Sequence, residues 1–418
     1  MVVDRSPNGQ VYVVSAARTP IGKFGGAFAN TPAVELGAVA IRAAVDRSGL
    51  PSDARVDEVL MGQVIQAGAG QAPARQAALR AGLDVTTSAT TINRVCGSGM
   101  KSIMLAAAEI KAGDAEIVVA GGMENMNMAP YLLDRARFGY RLGDATIRDA
   151  AVLDGLWCSI DDCHMGTHAE RVAIRDHVSR ADQDALALRS HRNAVAAMDA
   201  GRFDAELVPV SVRGARGRES VVVADESPRR DTSLDALARL RTAFPTPDRL
   251  DPDSPAITGA TATVTAGNSP GITDGAAATV IASERAVERF GLQPLARIVG
   301  YAQAEVEARW LFLAPVQGVR QLLDRIELPI EAFDLVEINE AFAAQVLADG
   351  RQLAFDWAKV NVNGGAIALG HPIGASGTRI VATLLHELAR RRGRYGLATL
   401  CLGGGGSVAM AFERMTPA

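Results

Sequence analysis

The sequence lacks the features that mark membrane and secreted proteins. No apolar run reaches the roughly 18 residues that a membrane-spanning helix needs. The N-terminal segment, with Asp4, Arg5 and Pro7, has no apolar stretch typical of a signal peptide. Four cysteines in 418 residues are too few for a disulfide framework, which indicates a reducing compartment. We therefore predict a cytoplasmic protein that has no membrane partner.

The chain also lacks an excess of positive charge. It has 43 lysine and arginine residues against 47 aspartate and glutamate residues, a net charge of −4. Proteins that bind nucleic acids usually carry a basic face, so we predict no nucleic-acid partner. Aromatic residues are scarce at 5%, whereas 41 glycines favour close packing of helices on sheets. At this length the chain exceeds one hydrophobic core, and we expect two or more domains.

Two distant segments repeat one plan. After Cys96, apolar residues recur at helical spacing from Met100 to Ile110, and EIVVAGG (116–122) is typical of a buried strand that runs into glycines. Near the C-terminus, GASGTRI (374–380) opens a second helix, and LATLCLGGGG (397–406) is again a strand followed by glycines. The repetition predicts an α/β fold made of two duplicated halves.

The segment between these units has a different composition. It is rich in arginine and proline, and it contains one strong helix that begins at Ser179, which with Asp182 resembles a capping box. We therefore predict three parts. The first half comprises 1–127 and 256–284, an inserted loop domain comprises 128–255, and the second half comprises 285–418.

Four reactive side chains lie in glycine-rich segments: Cys96 in NRVCGSGM, Asn339 in NEAFAAQ, His371 in GHPIGASG and Cys401 in CLGGGGS. The pKa of a free thiol, about 8.5, falls near a helix N-terminus or a histidine, and Cys96 is placed for both. A cysteine and a histidine before helix-opening glycines in duplicated units predict catalysis through a thiol nucleophile.

These motifs, in their order, resemble the thiolase family, whose members make or cleave a carbon–carbon bond between acyl-CoA units. The resemblance runs from about Val11 to about Glu413 and implies layered sheets and helices. The segments that carry it are VVSAARTPIGKFGG, GQAPARQAAL, CGSGMKSI, GGMENMNMAP, HMGTHAERVA, TAGNSPGITDGAAA, DLVEINEAFAAQ, NVNGGAIALGHPIGASG and LCLGGGGSVAM.

The resemblance implies a role for each reactive residue. Cys96 would be the nucleophile that accepts the acyl group. His371 would take its proton and, with a water held by Asn339, form one oxyanion hole. Cys401 would move the proton at the substrate α-carbon, and the backbone N–H groups of Cys96 and Gly403 would form a second oxyanion hole.

The resemblance also implies contacts to the CoA substrate. Arg229 lies in the inserted segment, where a guanidinium suits the phosphates of CoA, although an ordinary charged surface is the alternative. The residues that would contact CoA or the acyl group are His164, Met165, Arg229, Phe244, Ser269 and Phe342.

Three segments depart from the family pattern near the expected acyl path. Ser269-Pro270 stands where Ala-Ser is frequent, and Gly406-Ser407 stands where Met-Gly is usual. RWLFLAPV (309–316) replaces a stretch of small residues, so Leu311, Phe312 and Leu313 would add bulk beside Met165. Pocket volume discriminates between acyl chains, and we predict a preference for short ones. Side chains turned outward along a longer channel are the alternative.

Cysteine and histidine near residue 160 raise a zinc site as another alternative. The spacing Cys158-x4-Cys163, with His168 as the next candidate, lacks a second ligand pair, so we predict no metal. The glycines 403–406 lack the Lys-Ser/Thr of a nucleotide-binding loop. The remaining histidines, which we predict to be exposed, are His177, His191 and His386.

The sequence therefore predicts an acyltransferase that interconverts two acetyl-CoA with acetoacetyl-CoA and CoA through acyl-Cys96, without a cofactor. A longer-chain 3-oxoacyl-CoA thiolase of β-oxidation is the alternative. A decarboxylating ketosynthase would need a second histidine in place of Cys401, and an acyl-CoA-binding module would need neither thiol. We expect a homodimer or homotetramer.

Overall fold

The computed structural model describes residues 9–213 and 219–415. Among the helices in these ranges, none combines the length and the apolar character needed to span a bilayer. The strands are β1 (Val11–Arg18), β2 (Gly22–Lys23), β3 (Glu58–Gly62), β4 (Ser88–Ile92), β5 (Ile117–Asn125), β6 (Tyr131–Leu133), β7 (Ile147–Asp149), β8 (Trp157–Cys158), β9 (Cys163–His164), β10 (Val210–Arg213), β11 (Glu219–Val222), β12 (Thr273–Ser283), β13 (Ala296–Glu305), β14 (Leu335–Ile338), β15 (Tyr395–Leu402) and β16 (Gly406–Arg414).

Helices cover both faces of the large sheet that ten of these strands form. The helices are α1 (Ala33–Asp46), α2 (Pro73–Arg80), α3 (Ser98–Ala112), α4 (Met165–Arg175), α5 (Arg180–Asp199), α6 (Leu234–Ala238), α7 (Glu284–Phe290), α8 (Ala314–Ile326), α9 (Ala343–Gln352), α10 (Ala366–Leu369) and α11 (Ser376–Arg391). Short 3₁₀ segments occur at Ala136–Phe138, Ala308–Leu313 and Ile330–Ala332, and a π-helical turn at Ala151–Leu156.

The large sheet repeats one pairing pattern on its two sides. Its strand order is β14-β15-β16-β13-β1-β12-β5-β3-β4, and β2 pairs with β12. In each half a parallel pair (β3/β5 or β14/β15) is followed by two antiparallel pairs. The halves meet at β1 and β13 through only two residue pairs, Tyr12↔Arg297 and Val13↔Ala296. The α/β fold predicted from the sequence is confirmed.

Helices α3 and α11 form the layer that both halves share. The buried residues Met100, Ile103, Ile380 and Leu384 belong to one core that includes strand residues from either half. The opposite face of the first half packs against α1 and α2, and that of the second half against α8 and α9. Alternate side chains of each strand therefore enter different cores, as the pleat requires.

The segment between β5 and β12 forms three separate two-stranded sheets, β6/β7, β8/β9 and β10/β11. Helix α5 begins as the sequence predicted, because the Ser179 Oγ accepts from the Asp182 N–H at 3.1 Å. Buried Arg18 of β1 joins this segment to the sheet. Its guanidinium pairs with Glu206 at 2.6 Å and with Asp225 at 2.7 Å.

Candidate active site

Cys96 lies in a tight turn between β4 and α3. Val95, directly before it, has φ +48°, a left-handed conformation that a β-branched residue rarely adopts. Ser98 holds the turn, because its Oγ accepts from the Arg94 N–H at 2.8 Å and donates to the Val95 carbonyl oxygen at 2.7 Å. Strain of this kind persists where surrounding contacts fix the backbone, and here it places Cys96 in the wall of a cavity.

His371 lies in the loop between α10 and α11, after Gly370, whose φ is +111°. Its Nδ1 is 2.6 Å from the Ser376 Oγ, and that hydroxyl donates its proton to the Pro372 carbonyl oxygen at 2.9 Å. A hydroxyl has one proton, so Ser376 accepts from the Nδ1–H of His371. This arrangement leaves Nε2 as the unprotonated nitrogen of the neutral ring.

Asn339 faces that nitrogen. It follows β14, is fully buried, and its Nδ2 lies 3.4 Å from the His371 Nε2. Its Oδ1 has no hydrogen-bond partner among the described residues, so a donor from substrate or solvent is needed to satisfy it. The pair therefore offers both a base and a polar contact at one point of the site.

Glu124 at the end of β5 fastens the His371 loop to the first half of the sheet. Its carboxylate accepts from the N–H groups of Val64, Ile65 and Gly374 at 3.0, 3.2 and 2.9 Å. Glu124 lies in the motif GGMENMNMAP and Ser376 in NVNGGAIALGHPIGASG, but neither motif alone indicates these contacts. Their contacts depend on how loops from both halves meet, which spacing along the chain does not reveal.

Cys401 and Gly403 come from the second half. Cys401 pairs with Ser407 across β15 and β16, and the turn between these strands contains Gly404 and Gly405 at φ +86° and +110°. Glycine is required there because other residues are strained at positive φ. The turn places the backbone N–H of Gly403 near the Cys96 thiol, where it acts to lower the pKa of that thiol against the larger effect of burial.

One cavity of about 310 Å³ brings these groups together, since Cys96, His371, Cys401 and Gly403 all line it. Phe312 meets Phe342 edge to face with ring centroids 5.3 Å apart, which closes part of the wall. Other apolar lining residues are Met126, Leu156, Leu311, Ala341 and Ile373. A mostly apolar cavity with a few convergent polar groups is typical of a small-molecule site.

Burial controls the protonation of these groups. It lowers the pKa of His371 to about 3, with a smaller effect of the Arg379 charge in the same direction, so the ring is neutral at pH 7. It raises the pKa of Cys96 to about 11, although the N–H of Gly403 acts the other way. The lowered thiol pKa expected from the helix N-terminus is therefore wrong, because burial outweighs it.

Cys401 is also a protonated thiol at rest. Burial raises the pKa of Cys401 well above its usual value, and negative charge on Cys96 and on Asp349 raises it further. The two thiols are thus coupled, since ionisation of one opposes ionisation of the other.

Five of the six residues predicted to contact CoA or the acyl group line the same cavity: His164, Met165, Phe244, Ser269 and Phe342. The His164 ring stacks on Phe244 with centroids 4.7 Å apart. Arg229 does not line this cavity. It is exposed, and its backbone N–H donates to the His191 Nδ1 at 3.1 Å.

Three other expectations need correction. Leu311 and Phe312 line the cavity as predicted, but Leu313 is buried without lining it, because the turn of the 3₁₀ segment directs it into the core. His191, predicted to be exposed, is buried on α5 by the segment that carries Arg229. His386 is half-buried against the Ala16 carbonyl oxygen, whereas His177 is exposed as predicted.

Comparison with known proteins covers nearly the whole chain. The family model "Thiolase, N-terminal domain" matches residues 11–285, and "Thiolase, C-terminal domain" matches residues 292–414. An acetyl-CoA acetyltransferase of Cupriavidus necator is 50% identical over 97% of this chain and 99% of its own. One from Escherichia coli is 52% identical over 96% and 98%. The crystal structure of the Bacillus anthracis acetyl-CoA acetyltransferase superposes with a TM-score of 0.91 at 43% identity, covering 97% of this chain and 99% of that one.

Proposed function

Because the chain belongs to the thiolase family, we propose that it interconverts two molecules of acetyl-CoA with acetoacetyl-CoA and free CoA. The chain is a thiolase, an enzyme of acyl transfer between CoA thioesters. The printed names of the relatives favour acetyl-CoA as the donor. The observation that carries the proposal is the convergence of Cys96, His371 and Cys401 on one apolar cavity.

In the first half-reaction the Cys96 thiol gives its proton to the His371 Nε2, and its sulfur attacks the thioester carbonyl of acetyl-CoA. The carbon–sulfur bond to CoA breaks, and the departing CoA sulfur takes the proton from His371. Exchange of one thioester for another is close to neutral in free energy. The N–H groups of Cys96 and Gly403 are proposed to hold the acyl oxygen, each such donor contributing roughly 3 kcal/mol.

In the second half-reaction the Cys401 thiol gives its own proton to the His371 Nε2, and the resulting thiolate removes a proton from the α-carbon of a second acetyl-CoA. The resulting enolate oxygen is proposed to lie between the His371 ring, now protonated on Nε2, and a water held by Asn339. The carbanion attacks acetyl-Cys96, the Cys96 sulfur leaves as the thiolate, and that thiolate takes the proton back from the His371 Nε2. No cofactor beyond CoA as substrate and product is required.

The bulk of Leu311 and Phe312 in the cavity wall supports a short acyl chain. The experiment is CoA-dependent cleavage of 3-oxoacyl-CoA substrates with four, six and ten carbons, followed at the thioester absorbance. We expect the highest kcat/KM for four carbons. A maximum at ten carbons would favour the longer-chain β-oxidation thiolase, and the absence of cleavage with all three would contradict the proposal.

Further expectations rest on the family resemblance. We propose a cytoplasmic enzyme that assembles as a homodimer or homotetramer, with Arg229 at the phosphates of CoA. The division into two halves and an inserted domain over 128–255 likewise stays a prediction. Sedimentation equilibrium measures the assembly state directly, and a monomer at micromolar concentration would contradict the proposed homodimer or homotetramer.

A further inference from the structure

Two cysteines outside the reaction cycle face each other across a hairpin. Cys158 and Cys163 are paired residues of the antiparallel strands β8 and β9, joined by the loop 159–162. Opposite residues of an antiparallel pair have Cα atoms about 4.5–5.5 Å apart, within the range that a disulfide bridges. Both cysteines are free thiols in this structure.

The two sulfurs differ in access and in partners. Cys158 is buried and its Sγ accepts from the Asp161 N–H at 3.4 Å, whereas Cys163 is half-buried. The Cys163 Sγ lies 3.3 Å from the His168 Nε2. The other ring nitrogen lies 2.8 Å from the Arg171 guanidinium, which can only donate, and 3.3 Å from the Arg309 carbonyl oxygen, which can only accept. The shorter contact to a charged donor favours the neutral tautomer that carries its proton on Nε2 and donates to the sulfur. Cys163 is therefore the thiol that solvent reaches and that a donor supports.

The hairpin joins two parts of the cavity wall. The π-helical turn before β8 contributes Gly155 and Leu156, and His164 and Met165 follow directly after Cys163. Trp157 pairs with His164 in the same ladder. A covalent link between residues 158 and 163 would therefore fix the spacing of the two wall segments without touching the reacting groups.

A metal is the competing occupant of this cluster. Asp161, Cys163 and His168 have ligand atoms within 4.8 Å of one another. The Arg171 guanidinium, however, lies 2.8 Å from both the Asp161 Oδ2 and the His168 Nδ1. A cationic group already occupies the position that a metal ion would need, so the geometry favours chemistry between the sulfurs.

We propose that Cys158 and Cys163 are a redox modification site. Low-molecular-weight disulfides oxidise the two thiols, which then form a reversible disulfide with each other. The Cys163 thiolate attacks one sulfur of the reagent, and the other leaves as a thiol with the proton from Cys163. The Cys158 thiolate then attacks the Cys163 sulfur and expels the second reagent thiol. Two protein thiols are oxidised by two electrons, and one reagent disulfide is reduced to two thiols.

Burial raises the pKa of Cys163 to about 11, so the exchange is slow at neutral pH and proceeds under sustained oxidant. The experiment incubates the full-length protein with oxidised glutathione, alkylates remaining thiols and digests with trypsin. The sequence separates the cysteines conveniently, with Cys158 and Cys163 together in peptide 149–171, Cys96 in 95–101 and Cys401 in 395–414.

We expect peptide 149–171 to become lighter by two hydrogen atoms, to resist alkylation, and to recover after dithiothreitol. In Cys158→Ser, Cys163 should accumulate as a glutathione adduct, which traps the intermediate. In Cys163→Ser, the buried Cys158 should stay unmodified. Both variants should retain CoA-dependent cleavage activity, which also reports that they fold.

Three results would overturn the proposal. The first is full alkylation of peptide 149–171 under conditions that oxidise the active-site peptides. The second is a disulfide that links Cys163 to Cys96 or Cys401 instead of Cys158. The third is stoichiometric binding of Zn²⁺ that protects Cys163 from alkylation, which would make the cluster a metal site. None of these readouts depends on the identity of the acyl substrate.

Discussion

The orientation of a single imidazole determines which proton transfers the site can perform. His371 is buried, neutral and hydrogen-bonded through Nδ1 to Ser376, which leaves its Nε2 free to accept a proton. A backbone carbonyl oxygen holds the serine hydroxyl in turn. The proposed proton transfers therefore depend on a side chain that does not line the cavity.

Replacement of Ser376 tests this dependence. Ser376→Ala should lower kcat by about 10–100-fold, part of the roughly 10²–10⁴-fold that a positioned general base supplies, because the ring loses its preferred tautomer. KM for acetoacetyl-CoA should change little, since Ser376 does not line the cavity. Ser376→Thr, which keeps the hydroxyl, is the control. Equal loss in both variants would assign Ser376 to packing alone.

Arg229 and Arg230 form a matched pair of exposed arginines. The Arg230 guanidinium pairs with Asp199 at 2.6 Å, whereas Arg229 is the one assigned to CoA by the family resemblance. Arg229→Ala should raise KM for acetoacetyl-CoA severalfold with little effect on kcat, the sign of lost uniform binding. Arg230→Ala should leave both constants unchanged. A pantetheine thioester that is used as well as the CoA substrate by the unaltered enzyme would refute the contact.

In the 3₁₀ segment Ala308–Leu313, Leu311 and Phe312 line the cavity, whereas Leu313 is buried in the core. Leu311→Ala should raise kcat/KM for the six-carbon substrate relative to the four-carbon one by roughly 10-fold, since each methylene of space is worth about 1–3 kcal/mol. Leu313→Ala removes the same atoms from a buried position behind the wall. It should lower stability by about 2–5 kcal/mol without changing the chain-length ratio.

A shift of preference in Leu313→Ala, or none in Leu311→Ala, would show that the acyl group lies elsewhere. Steady-state kinetics on both substrates, with urea unfolding of each variant, separates the two effects. From the sequence we predicted that Leu311, Phe312 and Leu313 all line the pocket. Residue spacing does not show which side chains of a single helical turn face a cavity and which face the core.

The elements that carry the reacting groups were predictable for a local reason. Helix α3 has apolar residues at helical spacing behind Cys96, and the glycines after β15 mark where that strand gives way to a turn. The glycines expected to end β5, Gly121 and Gly122, lie inside that strand, which continues to Asn125. The hairpin of Cys158 and Cys163 had no such signal, because each of its strands has two residues. Its pairing arises from the neighbouring π-helical turn and α4.

At the scale of the whole molecule, long-range contacts escaped prediction. Arg18 pairs with Glu206 and Asp225, which are 188 and 207 residues away, and the same segment covers His191. A histidine among polar residues of α5 gives no local sign that another part of the chain will bury it. Domain packing, and the pKa changes that follow from it, therefore required the structure.

Buried histidine makes the fold sensitive to acid. Burial lowers the pKa of His191 to about 4, whereas the unfolded chain titrates near 6.5. Protons therefore bind the unfolded state preferentially, and the stability contributed by the neutral ring is lost as pH falls from 6.5 to 4. Glu124 opposes this change, because burial raises its pKa to about 7 and the folded state gains stability as pH falls from 7.

The substitution His191→Asn should weaken the loss of stability between pH 6.5 and 4 by about 2–3 kcal/mol, at 1.36 kcal/mol per pKa unit. His177→Asn, at an exposed position, is the control and should leave the pH profile unchanged. Urea unfolding at each pH gives the free energies. If the free energy of unfolding falls equally with pH in the unaltered protein and in His191→Asn, His191 does not contribute to the acid sensitivity.

In the proposed mechanism the acyl group resides on Cys96 while Cys401 acts only on carbon. Peptide mass spectrometry after incubation with acetyl-CoA, combined with exchange of labelled CoA into acetyl-CoA, tests this division between the two thiols. We expect one acetyl group on peptide 95–101, absent in Cys96→Ser. In Cys401→Ala the adduct and the exchange should persist, while carbon–carbon bond formation falls by at least about 10²-fold, as expected for a lost general base. An acetyl group that survives in Cys96→Ser, or exchange that disappears in a folded Cys401→Ala, would contradict the account.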